Sequence, residues 1–200
     1  MSQSMHNPPS LSVALKEWHL VITDLLAGRQ AILLRKGGIL EAENQFLLEH
    51  THFLLYPTFI HQDPRMLKPD RRPHIQLLPA EPREIQITGH AQVAQIFEVP
   101  SRQQLEQLSD LHPWDAPFLD MRFNYRPEKP LYLVLLKAFK LQTPITIKST
   151  IEYAGCKSWV PLLSPIDISH STPALPDKEL RSLQSRIQKT FNAPLLNSDF

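Results

Sequence analysis

Proline is the residue that most limits what this chain can become. It occurs 19 times against only 5 glycines. Each proline removes a backbone donor and fixes φ, so prolines cut the chain into short elements and argue against long helices throughout. The densest run is Gln62–Arg83, which holds Pro64, Pro69, Pro73, Pro79 and Pro82. No regular element is expected there. A connection of that length without structure is uncommon in a compact domain and is usually functional or disordered.

That run is also basic. Arg65, Lys68, Arg71, Arg72 and Arg83 outnumber Asp63, Asp70 and Glu81. An extended basic loop can track a phosphate backbone; the ordinary alternative is a solvated surface loop. The formal net charge of the whole chain is only +1, so binding to nucleic acid has to come from a local patch. A hydrophobic content of 42% and a charged content of 20% are those of a soluble globular protein. No apolar run approaches the roughly 20 residues of a membrane span. The segment Met1–Pro9 is polar and does not read as a signal peptide. The single cysteine, Cys156, excludes an internal disulfide and fits a reducing cytoplasm.

Between the prolines, Leu11–Ala27 reads as an N-terminal helix, with Leu11, Ala14, Leu15, Trp18, Val21, Ile22 and Leu25 on one stripe and Gly28 at its end. Ala31–Arg35 reads as a strand ahead of Gly37-Gly38. Phe46–Phe59 is harder to read; taken as one long strand, it puts His50 and His52 on a single face. Glu84–Val99 has β character. Ser101 with Gln104 forms a capping box that opens a middle helix, and His112-Pro113 ends it. Leu131–Leu141 is apolar on both faces through Leu136 and should be a central strand, with Pro144–Ile147 a short edge strand. Ile151–Leu163 enters another strand, and a C-terminal helix capped by Asp177 carries Leu180, Leu183, Ile187 and Phe191. The fold class is therefore α+β: one domain over residues 11–192 between tails 1–10 and 193–200. It is built on a strongly bent mixed sheet or small β-barrel of about five or six strands.

Several sites follow from residue type. Arg35-Lys36 beside the glycine turn can receive a phosphate, the alternative being a solvated hairpin end. Lys137 interrupts an apolar strand face; it either lies at the wet end of the strand or belongs to a site. With Arg65, Lys68, Arg71 and Arg72 these make the candidate nucleic-acid-binding set. Trp114, Phe118, Arg122, Phe123, Tyr125 and Arg126 would be a stacking platform for bases if exposed, and core if not. His50, His52 and His61 are candidate zinc ligands, although no cysteine or carboxylate completes a recognised spacing. Cys156 beside Lys157 is a candidate nucleophile without a local base; the alternative is a small buried hydrophobe. No cofactor is expected.

Four segments carry a resemblance: A-L-K-E-W (Ala14–Trp18), L-L-R-K-G-G-I (Leu33–Ile39), F-L-L-Y-P-T-F-I-H-Q (Phe53–Gln62) and E-Y-A-G-C-K-S-W (Glu152–Trp159). Together they resemble the bacterial domain-of-unknown-function family 1802, over about Leu11–Leu163. The family has no established activity and supplies no catalytic residue. Its occurrence beside restriction-endonuclease-type domains implies a nucleic-acid context, with a restriction-type nuclease as candidate partner. Such nucleases need an Asp followed downstream by Glu-x-Lys or Asp-x-Lys. Pro69-Asp70 offers the first half, and neither Glu128-Lys129 nor Asp177-Lys178 has the second spacing. There is no P-loop, Rossmann glycine pattern or Gly-x-Ser-x-Gly. The expected function is a non-catalytic nucleic-acid-binding or restriction-modification accessory module. A small enzyme using Cys156 or a histidine-bound metal, and a plain interaction domain, are the alternatives.

Overall fold

The computed structural model describes residues 10–36, 41–42, 45–46, 49–153, 155 and 157–193. Gly37-Gly38, Cys156 and nearly all of both expected tails lie outside the described residues.

The elements run β1 (Ser10–Trp18), α1 (His19–Leu26), β2 (Ile32–Arg35), β3 (Glu41–Ala42), β4 (Gln45–Phe46), β5 (His52–Thr58), β6 (Glu84–Glu98), α2 (Arg102–Glu106), α3 (Ala116–Asn124), β7 (Tyr132–Lys148), β8 (Trp159–Asp167), β9 (Ser171–Pro173) and α4 (Asp177–Phe191). The fold is α+β. A seven-stranded sheet follows the order β2-β7-β6-β5-β1-β8, with β9 also on β7, while β3 and β4 form a separate hairpin. The sheet is mixed because β1 runs parallel to β5 and antiparallel to β8. It is an open sheet: the described strands at its two ends, β2 and β8, do not pair, so the barrel alternative is not formed.

Leu11–Ala27 is the largest departure from expectation, because its first half is a strand. Leu11 and Ala14 are buried on one side of the sheet and Leu15 on the other. A strand covered on both faces shows no clean alternation, so its apolar residues also fit a helical stripe. Helix begins only at His19, and Gly28 with φ +69 follows its end. Phe46–Phe59 is likewise not one strand: Phe46 belongs to the β3–β4 hairpin, and β5 starts at His52.

One face of the sheet is covered by all four helices. Leu20 and Leu25 of α1, Leu105 of α2, Phe118 of α3 and Ile187 and Phe191 of α4 pack there with Leu55, Val93, Leu133 and Leu135. Among the described residues no α-helix covers the other face. There the sheet folds over itself, so that Ile85 and Ile87 of β6 and Leu141 of β7 meet Val160, Leu162 and Ile166 of β8. Register shifts between Ile87 and Gly89 and between Val93 and Gln95 bend β6. At Gly89 any Cβ would stand 2.4 Å from both the Phe139 carbonyl oxygen and a Leu26 methyl.

β7 is central along its first half, as expected. It continues through Pro144 to Lys148, with Ile145 and Ile147 paired to Ile87 and Ile85, so Pro144–Ile147 is not a separate edge strand. Pro144 is tolerated because β9 pairs only with Phe139–Leu141.

Gln62–Arg83 contains two 3₁₀ turns, Pro64–Met66 and Arg72–His74, instead of being wholly irregular. Leu67 in this stretch is fully buried and bridges to Trp114. Ser101 caps α2, accepting the Gln104 N–H at 3.2 Å. The Gln104 side chain reaches back to the Ser101 hydroxyl, which its Oε1 accepts at 3.1 Å, and its amide NH2 donates to the Thr190 carbonyl at the end of α4.

Candidate nucleic-acid interface

Three of the four segments singled out in the sequence meet at one pocket. Lys16 and Tyr56 are partners in the parallel β1–β5 register. The chain entering β8 lies on the other side of β1, where the Lys16 N–H donates to the Ser158 carbonyl at 2.8 Å. These contacts enclose a cavity of about 350 Å³ lined by Lys16, Trp18, Tyr56, Thr58, Ile60, His61, Glu81, Ser149, Tyr153, Gly155 and Lys157. The remaining segment supports it from behind: Arg35 donates to the Lys16 carbonyl at 3.1 Å and pairs with Glu17 at 2.7 Å.

The walls are aromatic and the polar groups converge. Tyr56 and Tyr153 meet edge to face with ring centres 6.2 Å apart. Lys16 Nζ lies 5.6 Å from the centre of the Tyr56 ring. It donates to the Tyr153 carbonyl and, at 3.1 Å, to the Gly155 carbonyl. Burial pushes the Tyr56 phenol above its ordinary pKa, opposed by its hydrogen bond with Ser149. At neutral pH it is therefore a hydrogen-bond donor and not a base. Glu81 accepts the backbone N–H groups of Phe59 and Ile60 at 3.2 and 3.3 Å, which fixes the outer wall. Lys157 and His61 are exposed at the rim, and His61 adopts φ 60.

The seven cations proposed from sequence are placed differently. Arg35 is held by Glu17. Lys36 is buried and donates to the Phe123 carbonyl at 3.0 Å. Lys68 donates to the Ser109 and His112 carbonyls, and burial lowers its pKa. Arg71 pairs with Asp24, which also holds Arg29 at 2.8 Å. Lys137 reaches Asp177 at the start of α4, at 2.6 Å. Arg65 pairs with Asp63 and Arg72 with Asp115, but their side chains remain 86% and 43% exposed.

The three histidines are not grouped. His50 meets the Trp159 ring edge-on, and His61 stands at the pocket rim. His52 Nε2 is 3.0 Å from His90 Nδ1, and His90 Nε2 is 2.9 Å from Ser171 Oγ. Among the described residues no three His, Cys, Asp or Glu side chains are placed to hold a metal. Trp114 and Phe118 stack on each other at 3.8 Å in the core, so they are not a platform for bases. Sequence reasoning did not select Lys16, Tyr56 or Tyr153 as site residues, although each lies inside a segment quoted for the resemblance.

No described helix is long and apolar enough to cross a membrane. No curated protein matches the chain. Among solved structures, ASCH from Zymomonas mobilis is similar with a TM-score of 0.42 and 12% identity, over 86% of this chain and 93% of that one. A serine-to-alanine mutant of the same protein gives a TM-score of 0.41 at 12% identity, over 90% of this chain and 99% of that one. The family profile is far more specific than either likeness. It spans residues 14–186, and the chain belongs to the domain-of-unknown-function family 1802.

Proposed function

We propose that this protein is a non-catalytic module that binds single-stranded nucleic acid, with one base entering the Lys16–Tyr56–Tyr153 pocket. The observation that carries the reading is a cavity of about 350 Å³ that combines aromatic walls, the half-buried Lys16 ammonium and the exposed Lys157 and His61 at its mouth. Unpaired bases are bound by stacking on aromatic side chains and by hydrogen bonds to their edges, while cations hold the backbone. Lys157 and His61 stand where a flanking phosphate would pass, and Arg65 and Arg72 are the sequence-selected cations exposed enough to extend that contact. A duplex cannot present a base to such a pocket without unstacking it. The family's reported occurrence beside restriction-type catalytic domains supports an accessory role for the module, delivering such a nuclease to its nucleic acid.

The test is a salt series of anisotropy titrations with labelled single- and double-stranded oligonucleotides, using the natural chain and Lys157→Ala. Single strands are expected to bind better than duplex. Lys157→Ala should lower the log–log salt slope by about one. Equal affinity for duplex, or a slope unmoved by the substitution, would remove the pocket from the interface.

A further inference from the structure

The wall between the base pocket and a second, larger cavity is one strand thick. Side chains alternate along a strand. Tyr56, Thr58 and Ile60 face the pocket already described, while Pro57 and Phe59 line a second cavity of about 580 Å³. The following loop divides the same way, with Glu81 in the first cavity and Pro82 in the second. Glu81 stiffens the dividing segment by accepting the N–H groups of both Phe59 and Ile60.

The second cavity has the parts of a nucleotide site. His19 stacks on Phe59 with ring centres 4.8 Å apart and planes 27° apart, which makes an aromatic wall. Burial lowers the His19 pKa, so the ring stays neutral. Gln76, Gln86 and Thr88 line the same cavity and supply both donors and acceptors. Lys140, exposed, is the cation of this cavity besides Arg29, which is held by Asp24. Glu84 lines the same space and disfavours a second phosphate there.

We infer that the second cavity takes the nucleotide adjacent to the one in the first pocket, so that the site recognises a dinucleotide step of a single strand draped over residues 57–60. This rests on the nucleic-acid reading of the first pocket. Two linked subsites make the second contact intramolecular, so affinity should rise steeply from one nucleotide to two.

The experiment follows backbone amide shifts of the full ¹⁵N-labelled chain with adenosine 5′-monophosphate and with the dinucleotide ApA. The monophosphate is expected to move Thr58 and Ile60. ApA should also move Phe59, Gln86 and Thr88 and bind about tenfold more tightly or better. Gln86→Leu with Lys140→Ala, both at exposed positions, should bring ApA down to the monophosphate affinity and leave the monophosphate unchanged. ApA that binds no better than the monophosphate, and moves only the first pocket, would overturn the second subsite while leaving the first reading intact. No shift in the first pocket with either ligand would overturn both.

Discussion

Lys16 and Tyr56 stand side by side on neighbouring parallel strands, with the ammonium 5.6 Å from the ring centre and anchored to the Tyr153 and Gly155 carbonyls. The pair joins β1, β5 and the chain entering β8, three parts of the chain that sequence separates widely. Lys16→Met keeps most of the stem volume and removes the charge. A hydrogen bond to a charged group contributes about 1.5–3 kcal/mol, so single-strand affinity should fall roughly tenfold or more. Tyr56→Phe should lose less, on the order of fivefold. Both are read by oligonucleotide titration, with thermal melts to confirm that the variants fold.

Acid should destabilise the protein through two buried histidines. Burial holds His90 and His112 at a pKa of about 4, below the ordinary 6.5, with smaller contributions from His52 and Lys68 respectively. A depressed folded-state pKa contributes stability that is present above pH 6.5 and lost as pH falls toward 4. Each proton taken up on unfolding steepens the loss by about 1.4 kcal/mol per pH unit. Urea titrations between pH 7 and 4 should show a falling midpoint. His90→Gln should flatten that dependence by about half.

Asp24 should be among the costliest polar residues to remove. It is 2% exposed and joins Arg29 and Arg71 to α1. Arg29 is half exposed and Arg71 partly so, and water can take over from the lost carboxylate; loss of the charged hydrogen bonds should cost about 1.5–3 kcal/mol. Asp24→Ala is expected in that range by chemical denaturation. Exposed Arg65→Ala should change stability by less than about 1 kcal/mol.

Gly89→Ala tests the close approach of α1 to the sheet. The new methyl would stand 2.4 Å from the Phe139 carbonyl oxygen, which is backbone and cannot swing away. Overpacking of this kind costs about 1–3 kcal/mol. A melt unchanged from the natural chain would show that Leu26 of α1 and Phe139 of β7 do not crowd Gly89 as described.

What the sequence made legible was local. The Ser101 cap needs only the residue three positions on, and the strand through Leu131–Leu136 is apolar on both faces. Leu11–Leu15 was not legible as strand, because burial on both sides erases the alternation that would separate it from a helix. The site was hidden for a different reason. Lys16 meets partners 137 and 139 positions away. The basic loop looked available because the Asp24, Ser109, His112 and Asp115 acceptors that engage its cations come from distant segments. Charge counted along the chain does not show which cations are already paired.

Arg35 and Lys36 separate the two pictures of the interface. They are tied to Glu17 and to the Phe123 carbonyl. Arg35→Ala with Lys36→Ala should therefore cost stability, about 2 kcal/mol or more for the lost charged hydrogen bonds, and leave the salt slope of binding nearly unchanged. Thermal melts and a salt titration of the same variant check both halves.

The most direct measurement is photo-crosslinking of a single-stranded RNA carrying 4-thiouridine, with the joined peptide identified by mass spectrometry. Crosslinks are expected to the peptides bearing Trp18, Tyr56 or Tyr153, lost on competition with unlabelled single strand. Crosslinks confined to the peptides of Gln62–Arg83, or binding with none in the pocket, would contradict base binding there.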